Sequence, residues 1–406
     1  MRVLLSTFGS RGDAEPLAGL AAALQAQGAQ ARVCAAPDFA QRFAQAGVEL
    51  FPVGPCVRDW IREVMADPKP NIRERASHVM DLYFDALSVA AEGCDAVLAT
   101  GLFPSTVAAQ AIAERRGLPY VYAGYCPTYL PSAHHRPFQF PDRPLPPETA
   151  DNRERWALNT ITMQEVFGEP ANRHRTAIGL PPAHDLRDRV FTANPWLASD
   201  PTLSPWAPTS LCEVWQTGAW VLHDDRPLAP DLRDFLDAGD APVYVGFGSM
   251  SLHAWTDAAR IAVEAVRAQG RRIVLAGGWA GLSPADAGVD CFAVGEINQQ
   301  ALFPRMAAIV HHGGAGTTTA AARSGASQVV VPQIGDQPYW AGRVADLGIG
   351  VAHAGPVATV ESLSAALAGA LKAETRASAK AVAGMVRGDG AEVAAKRLVG
   401  MFGTHH

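Results

Sequence analysis

Short apolar runs recur along the chain. Each is followed by a turn rich in glycine or proline, then by a stretch with apolar residues three and four apart. A run that is apolar throughout fits a strand buried on both faces, and the i, i+3, i+4, i+7 spacing fits a helix packed on the sheet by one side. The first such pair is "RVLLST" (2–7), a Gly-rich turn over Phe8–Asp13, and a helix from Ala14 with Leu17, Leu20, Ala21 and Leu24 in line. "ARVCAA" (31–36), "VELFPV" (48–53), "AVLAT" (96–100) and "YVYAG" (120–124) continue as strands, with helices predicted over 38–46, 73–92 and 103–115. Residues 124–150, which include "YCPTYLPSAHHRPFQFPDRPLPP", break this rhythm. A long irregular segment after a strand end reads as one that lines a site.

The alternation resumes at "PVYVGFGS" and runs through "RRIVLAGG", "CFAVG", "AAIVHH", "SQVVVP" and "GVAH". The proline- and aspartate-punctuated stretch 218–240 reads as a linker and a first helix. A final helix, about 375–402, has no strand after it. Strand–helix alternation at this spacing predicts parallel, doubly wound α/β sheets. A chain of 406 residues suits two of them. The expected architecture is two Rossmann-like domains facing an interdomain cleft, residues 1–220 and 225–374, with helix 375–402 crossing back to the first.

Composition narrows the function. Hydrophobic residues make up 48% and the net charge is −6, so the chain has ample core and no basic footprint for nucleic acid. Six cysteines are scattered without a C-x-x-C pair, which argues against a zinc ribbon or a redox pair. "MRVLLSTFG" is too short an apolar run for a signal peptide, and no stretch reaches the length of a membrane span. A cytoplasmic protein is expected.

"HHGGAGTTTAAARSG" (311–325) carries the strongest chemistry. It reads as a strand end, a glycine turn and a helix start. The first N–H groups of a helix lack partners and sit at its positive end, so they cradle anions. Gly313, Gly314 and Gly316 leave the backbone bare, Thr317 and Thr318 add hydroxyls, and His312 adds a ring N–H. Together they fit a diphosphate. His311 and His312 are not expected to hold a metal, because neighbours on a strand point to opposite faces and no third ligand is evident. "GFGSMS" (246–251) is a second strand-end turn in which Ser249 is a further donor. As a dinucleotide fingerprint it is imperfect, because Ser251 stands where the third small residue is wanted. In "VPQIGDQPYW" (331–340), Asp336 and Gln337 suit the vicinal hydroxyls of a sugar. Asp336 also fits a helix N-cap, with Pro338 in the first helical position. In "GSRGDAEP" (9–16), Asp13 is either a general base from the other domain or simply a cap of the first helix. The chain has neither a D-x-D triplet nor a Gly-Lys pair.

With these residues the sequence resembles family 1 glycosyltransferases of the GT-B fold. It is most similar to those of vancomycin-type glycopeptide antibiotics and more distantly to sterol glucosyltransferases. "LLSTFGSRGDAEPL", "GLPP", "VWQTGAW", "PVYVGFGS", "GEINQQALF", "HHGGAGTT" and "PQIGDQPYWAGRVADLGIGVAH" carry the resemblance. It implies an inverting, metal-independent transfer of a hexose from a nucleoside-diphosphate sugar to a hydroxyl of a natural-product aglycone. No cofactor is implied beyond that co-substrate: UDP-glucose first, a dTDP-sugar second. By the same resemblance Asp13 is the base, and Ser10 and Arg11 lie in a donor-facing loop. Ser249, His312, Gly314, Gly316 and Thr317 meet the diphosphate, Ile297 meets the nucleobase, and Asp336 and Gln337 meet the sugar. Trp279 matches a family tryptophan, although Gly278 replaces the arginine before it. Keeping the Asp336–Gln337 pair favours a fully hydroxylated hexose. Tyr125, Tyr129, His134, His135 and Phe138 are candidate contacts for a phenolic or polycyclic acceptor, with Phe140 beside them.

Three other readings compete. A UDP-sugar epimerase shares the architecture but has no use for an acceptor loop. A non-catalytic nucleotide-sugar binder does not need Asp13. An NAD-dependent oxidoreductase would want a better glycine fingerprint.

Overall fold

The computed structural model describes residues 1–67, 71–140, 143, 145, 151–248, 257–278 and 288–403. The chain divides into two compact units. Unit 1 holds Met1–Ser199, Pro205–Leu222 and Gly388–His406, and unit 2 holds Asp200–Ser204 and His223–Arg387.

Unit 1 is built on a seven-stranded parallel sheet. Its strands are β1 (Arg2–Phe8), β2 (Gln30–Ala35), β3 (Glu49–Pro52), β4 (Ala96–Gly101), β5 (Tyr120–Gly124), β6 (Trp196–Leu197) and β7 (Trp215–Gln216), in the order β3-β2-β1-β4-β5-β6-β7. Val3, Leu4 and Leu5 of β1 are all fully buried, the mark of a strand covered on both faces. The sheet reverses its winding between β1 and β4, so the chain leaving β1 stands at the switch point where doubly wound sheets bind ligands.

The structure departs from the sequence reading at four points. The first helix runs Arg11–Ala26 and begins three residues before Ala14, because the Ser10 side chain accepts from the Gly12 N–H and caps it. A 26-residue helix, Asn152–Ala177, follows the irregular segment; Pro170 inside it hides the pattern. β6 and β7 have two residues each, too few to show periodicity. The expected single helix 375–402 is two, Ala373–Ala383 in unit 2 and Gly390–Phe402 in unit 1. Gly384, Gly388 and Gly390 weaken helix between them. The second piece packs tightly on unit 1: a Cβ at Gly390 would stand 2.3 Å from the carbonyl carbon of Gly218. The Arg397 guanidinium lies 4.2 Å over the Trp215 ring.

Unit 2 carries a six-stranded parallel sheet of β8 (Val243–Val245), β9 (Ile273–Ala276), β10 (Cys291–Val294), β11 (Ala308–His311), β12 (Ser327–Val330) and β13 (Gly350–Ala352), ordered β10-β9-β8-β11-β12-β13. Successive side chains on a strand point to opposite faces, and here both faces are covered. Val243, Val245, Ile273 and Leu275 join Ala262, Val266, Leu363 and Leu367 in one core. Tyr244, Val274 and Ala276 join Leu232, Leu236 and Phe303 in the other. This double burial is why the strands read as continuous apolar runs. The buried Asp200 fastens its short segment to unit 2 by accepting from the backbone N–H groups of Thr202, Leu203 and Arg387 at 2.9, 3.1 and 2.9 Å. Among the described residues no helix is long and apolar enough to cross a membrane.

Candidate functional site

In unit 2 the glycine turn follows β11. His311 is fully buried. Its Nε2–H donates to Gln328 Oε1 on β12 at 2.9 Å, so its Nδ1 is free to accept the Gly313 N–H at 3.1 Å. Gly313 sits at φ +94°, and a Cβ there would lie 2.7 Å from Val330 Cγ1 and 3.1 Å from the Gln337 carbonyl. Only glycine fits this point, and His311 holds it. Burial pulls the His311 pKa down to about 4.

That depression has a consequence for stability. The unfolded ring titrates near 6.5, so between about pH 6.5 and 4 the unfolded chain binds a proton that the folded chain refuses. The contribution of neutral His311 is therefore complete above that window and is lost as pH falls through it, up to about 3 kcal/mol. The expected result is a falling melting temperature between pH 7 and 4.5, with the His311 ring still neutral at pH 5.5 by 15N NMR. A ring that titrates near 6.5 would contradict it.

His312 faces elsewhere, its ring plane turned 84° from that of His311. A Cβ on Gly314 would be 2.6 Å from its Nε2, and one on Gly248 would be 3.2 Å from its Cε1, so the ring lies between the two strand-end turns. Its Nδ1 is buried and has no hydrogen-bond partner among the described residues. Burial takes its pKa to about 3, which leaves the ring neutral with one N–H to give. The helix that follows, Ala315–Ser324, has Gly314 at its N-cap and no side-chain cap. Gly316 is exposed, with open space where a Cβ would project, and Thr317 is half-buried beside it. Thr318 departs from the sequence reading: it is fully buried and donates its hydroxyl to the Gly314 carbonyl at 2.9 Å.

The other unit 2 candidates are braced from behind. Asp336 stands at the N-cap position of helix Gln337–Asp346 but is itself helical and makes no capping bond, and Pro338 is the second helical residue rather than the first. Instead its Oδ2 accepts from the indole N–H of the buried Trp340 at 2.8 Å. Gln337 is buried, and its Oε1 accepts from the Gln333 and Ile334 N–H groups at 2.7 and 3.1 Å, holding the loop after β12 in shape. Ile297 is half-buried against the second core of the unit. Beside it Asn298 donates to the carbonyls of Asp224 and Arg226 at 2.8 and 2.7 Å and caps the next helix. Sequence reasoning missed Asn298, Gln328 and Trp340. The available signal was a polar residue inside an apolar run for Gln328, and an Asn before a helical stretch for Asn298. Ser249 and Trp279 lie outside the described residues.

In unit 1, β1 delivers the "GSRGD" turn. Ser10 is committed to capping, and Arg11 pairs with Glu15 at 3.5 Å. Asp13 is half-buried in the first helical turn, at the third helical position rather than the cap. The Tyr125 hydroxyl donates to the Asp13 carbonyl at 3.2 Å, so it is turned to the helix rather than to a ligand. His134 bonds the Pro208 carbonyl and His135 the Leu130 carbonyl, each at 2.9 Å, which makes both rings staples of the irregular segment. Trp156 and Trp206 flank His135 edge-on at 6.1 Å each. Tyr129 ends a short turn, Pro127–Tyr129, and is half-buried. Phe138 is 51% exposed. Behind it the rings of Phe140, Phe167, Phe103, Phe191 and Tyr122 touch in sequence at 4.7–6.2 Å, leading inward to β5. Of the expected acceptor contacts, Phe138 and His134 are exposed, whereas Tyr125, Tyr129 and His135 are half-buried.

The chain is similar to known proteins along nearly its whole length. Residues 3–134 match the glycosyltransferase family 28 N-terminal domain, and residues 287–399 match the erythromycin biosynthesis protein CIII-like C-terminal domain. The vancomycin aglycone glucosyltransferase of Amycolatopsis orientalis is 51% identical over 98% of this chain and 97% of its own. The dTDP-epi-vancosaminyltransferase of the same organism is 50% identical over 94% and 93%. Among solved structures, the glycosyltransferase VinC in complex with dTDP superposes with a TM-score of 0.69 at 20% identity, covering 98% of this chain and 100% of that one. Two parallel-sheet units in one chain, a histidine–glycine turn opening a helix in the second, and half-identity over nearly full length agree: the chain is a GT-B glycosyltransferase and belongs to the family of the vancomycin aglycone glucosyltransferase.

Proposed function

We propose that this glycosyltransferase moves glucose from UDP-glucose to a phenolic hydroxyl of a glycopeptide-type antibiotic aglycone, with inversion and without a metal. The observation that carries the donor reading is His312, neutral, with a buried ring nitrogen lacking a partner among the described residues, beside a helix start that no side chain caps. The acceptor reading rests on the relatives named for vancomycin-type aglycones.

In this mechanism the acceptor oxygen attacks the anomeric carbon opposite the leaving group. Its proton passes to the Asp13 carboxylate as the new C–O bond forms. The bond from the anomeric carbon to the diphosphate breaks, and the charge left on the diphosphate is received by the backbone N–H groups of Ala315, Gly316 and Thr317 and by the His312 ring. Fixed donors of this kind stabilise developing charge without reorganising. Asp336, aimed by Trp340, takes the sugar hydroxyls. Gln337 is the lesser partner in that task, because its oxygen already serves the loop.

Mass-spectrometric transfer to vancomycin aglycone tests this, with UDP-glucose and dTDP-glucose offered separately and with EDTA in a parallel arm. A hexose adduct from UDP-glucose that persists in EDTA is expected. A product made only from the thymidine donor would favour the second reading, a dTDP-sugar transferase, which a dTDP-named relative and a dTDP-bound neighbour support. No transfer, with sugar isomerisation instead, would restore the epimerase. A further expected outcome concerns the sugar reader: Asp336→Ala raises the Kd for UDP-glucose about tenfold and that for UDP less than about twofold. Trp340→Phe, which removes the N–H but keeps a ring, gives a smaller effect of the same kind. Equal weakening of both ligands by Asp336→Ala would make Asp336 a purely structural anchor of Trp340.

A further inference from the structure

We infer that Gly9 and Tyr125 are positioning residues for Asp13: the bare Cα of Gly9 makes room for its carboxylate and Tyr125 holds its main chain. The inference rests on the reading of Asp13 as general base.

Gly9 is buried at the end of β1. A Cβ built on it would stand 2.1 Å from Asp13 Oδ2 and 2.5 Å from Cγ, so the carboxylate lies directly on the bare Cα of Gly9. No side chain can share that space. Gly12, three residues on in the same turn, is different: it is exposed, and a Cβ there meets only Ser10 Oγ at 3.5 Å, an ordinary contact. One glycine of the motif is therefore required by the carboxylate and the other is not.

The second restraint comes from 112 residues away. Tyr125, just beyond β5, donates its phenol to the Asp13 carbonyl at 3.2 Å. Its ring packs edge-on to Trp220 at 5.8 Å. Burial holds the phenol well above its usual pKa, so it stays a donor throughout the working pH range. Main chain and side chain of Asp13 are thus held by different elements. A base must lie within hydrogen-bond reach of the proton it takes, and an error of an ångström costs on the order of 10²-fold.

Three variants test this, with UDP-glucose and vancomycin aglycone as substrates. Gly9→Ala is expected to lower kcat about 10²-fold with the UDP Kd within about twofold of wild type. Gly12→Ala stays within about twofold in kcat. Tyr125→Phe keeps the ring, loses the bond, and lowers kcat about tenfold with acceptor KM unchanged. In crystals of Gly9→Ala the Asp13 carboxylate is expected to be displaced by about an ångström or more, a readout that needs no turnover. A carboxylate that stays in place, or wild-type kcat in Gly9→Ala, overturns the inference. Should Gly9→Ala not fold, Tyr125→Phe decides, and wild-type kcat there has the same force. Asp13→Asn separates the two levels. If it is inactive while Gly9→Ala is active, only the positioning claim falls. If Asp13→Asn turns over like wild type, the base reading falls and this inference with it.

Discussion

Asp13→Asn is expected to cut transfer by about 10²–10⁴-fold, the usual worth of a positioned general base, while the Kd for UDP-glucose stays within about twofold of wild type. The two halves of this expectation come from different parts of the molecule. Most donor-binding candidates, among them His312, Gly314, Gly316, Thr317 and Asp336, belong to unit 2, whereas Asp13, with the donor-loop candidates Ser10 and Arg11 before it, belongs to unit 1. Asparagine is nearly isosteric, so it keeps the seat on Gly9 and the Tyr125 contact to the main chain but cannot accept the acceptor's proton. The fold should be preserved: the helix N-cap is Ser10, whose side chain accepts from the Gly12 N–H. Steady-state kinetics with isothermal titration of the donor checks both halves. Wild-type turnover would remove Asp13 as base. Loss of donor affinity in parallel with turnover would make it a donor contact instead.

His312→Ala is the second large effect. Removing one donor to a developing oxyanion typically costs about 10²–10³-fold in kcat, and that range is expected here. UDP should also bind more weakly, by about tenfold, because the free product carries the same diphosphate charge. The pH profile should gain no limb from His312 in the wild type, since a ring with a pKa of about 3 does not titrate in the working range. His311, its neighbour, behaves otherwise. It spends both nitrogens inside the protein, on Gln328 and Gly313, so His311→Ala should lower the melting temperature where His312→Ala lowers it little. A His312→Ala enzyme with full turnover and full UDP affinity would exclude the ring from the diphosphate site. A chemically competent His311→Ala enzyme of unchanged stability would contradict its part in holding the turn.

The long apolar strands were legible in the sequence because both of their faces are buried, so each shows as an unbroken hydrophobic run. The histidine–glycine turn was legible for a local reason as well: a strand end, bare backbone and a helix start are neighbours in the chain. Asp13 stood out on the same grounds. What the sequence could not decide is where side chains point and what they bond, because the partners are far away in the chain. Tyr125 suited an acceptor wall by its residue type, but the Asp13 carbonyl, 112 residues away, takes its hydroxyl. His134 and His135 went the same way, to carbonyls of Pro208 and Leu130. Thr318 looked like a phosphate donor until its helix buried it. Gln337 looked like a sugar reader until the loop after β12 claimed its oxygen. The two-residue strands β6 and β7 carry no period at all and exist because β5 offers its edge to β6, and β6 offers its own to β7. The break in the last helix has a local cause in Gly384, Gly388 and Gly390, but the docking of its second piece, Gly390 against Gly218 across 172 residues, is something no local pattern encodes. Local propensity and hydrophobic spacing thus determined the strands and the turns, whereas long-range packing and hydrogen-bond competition decided which polar groups were left for chemistry.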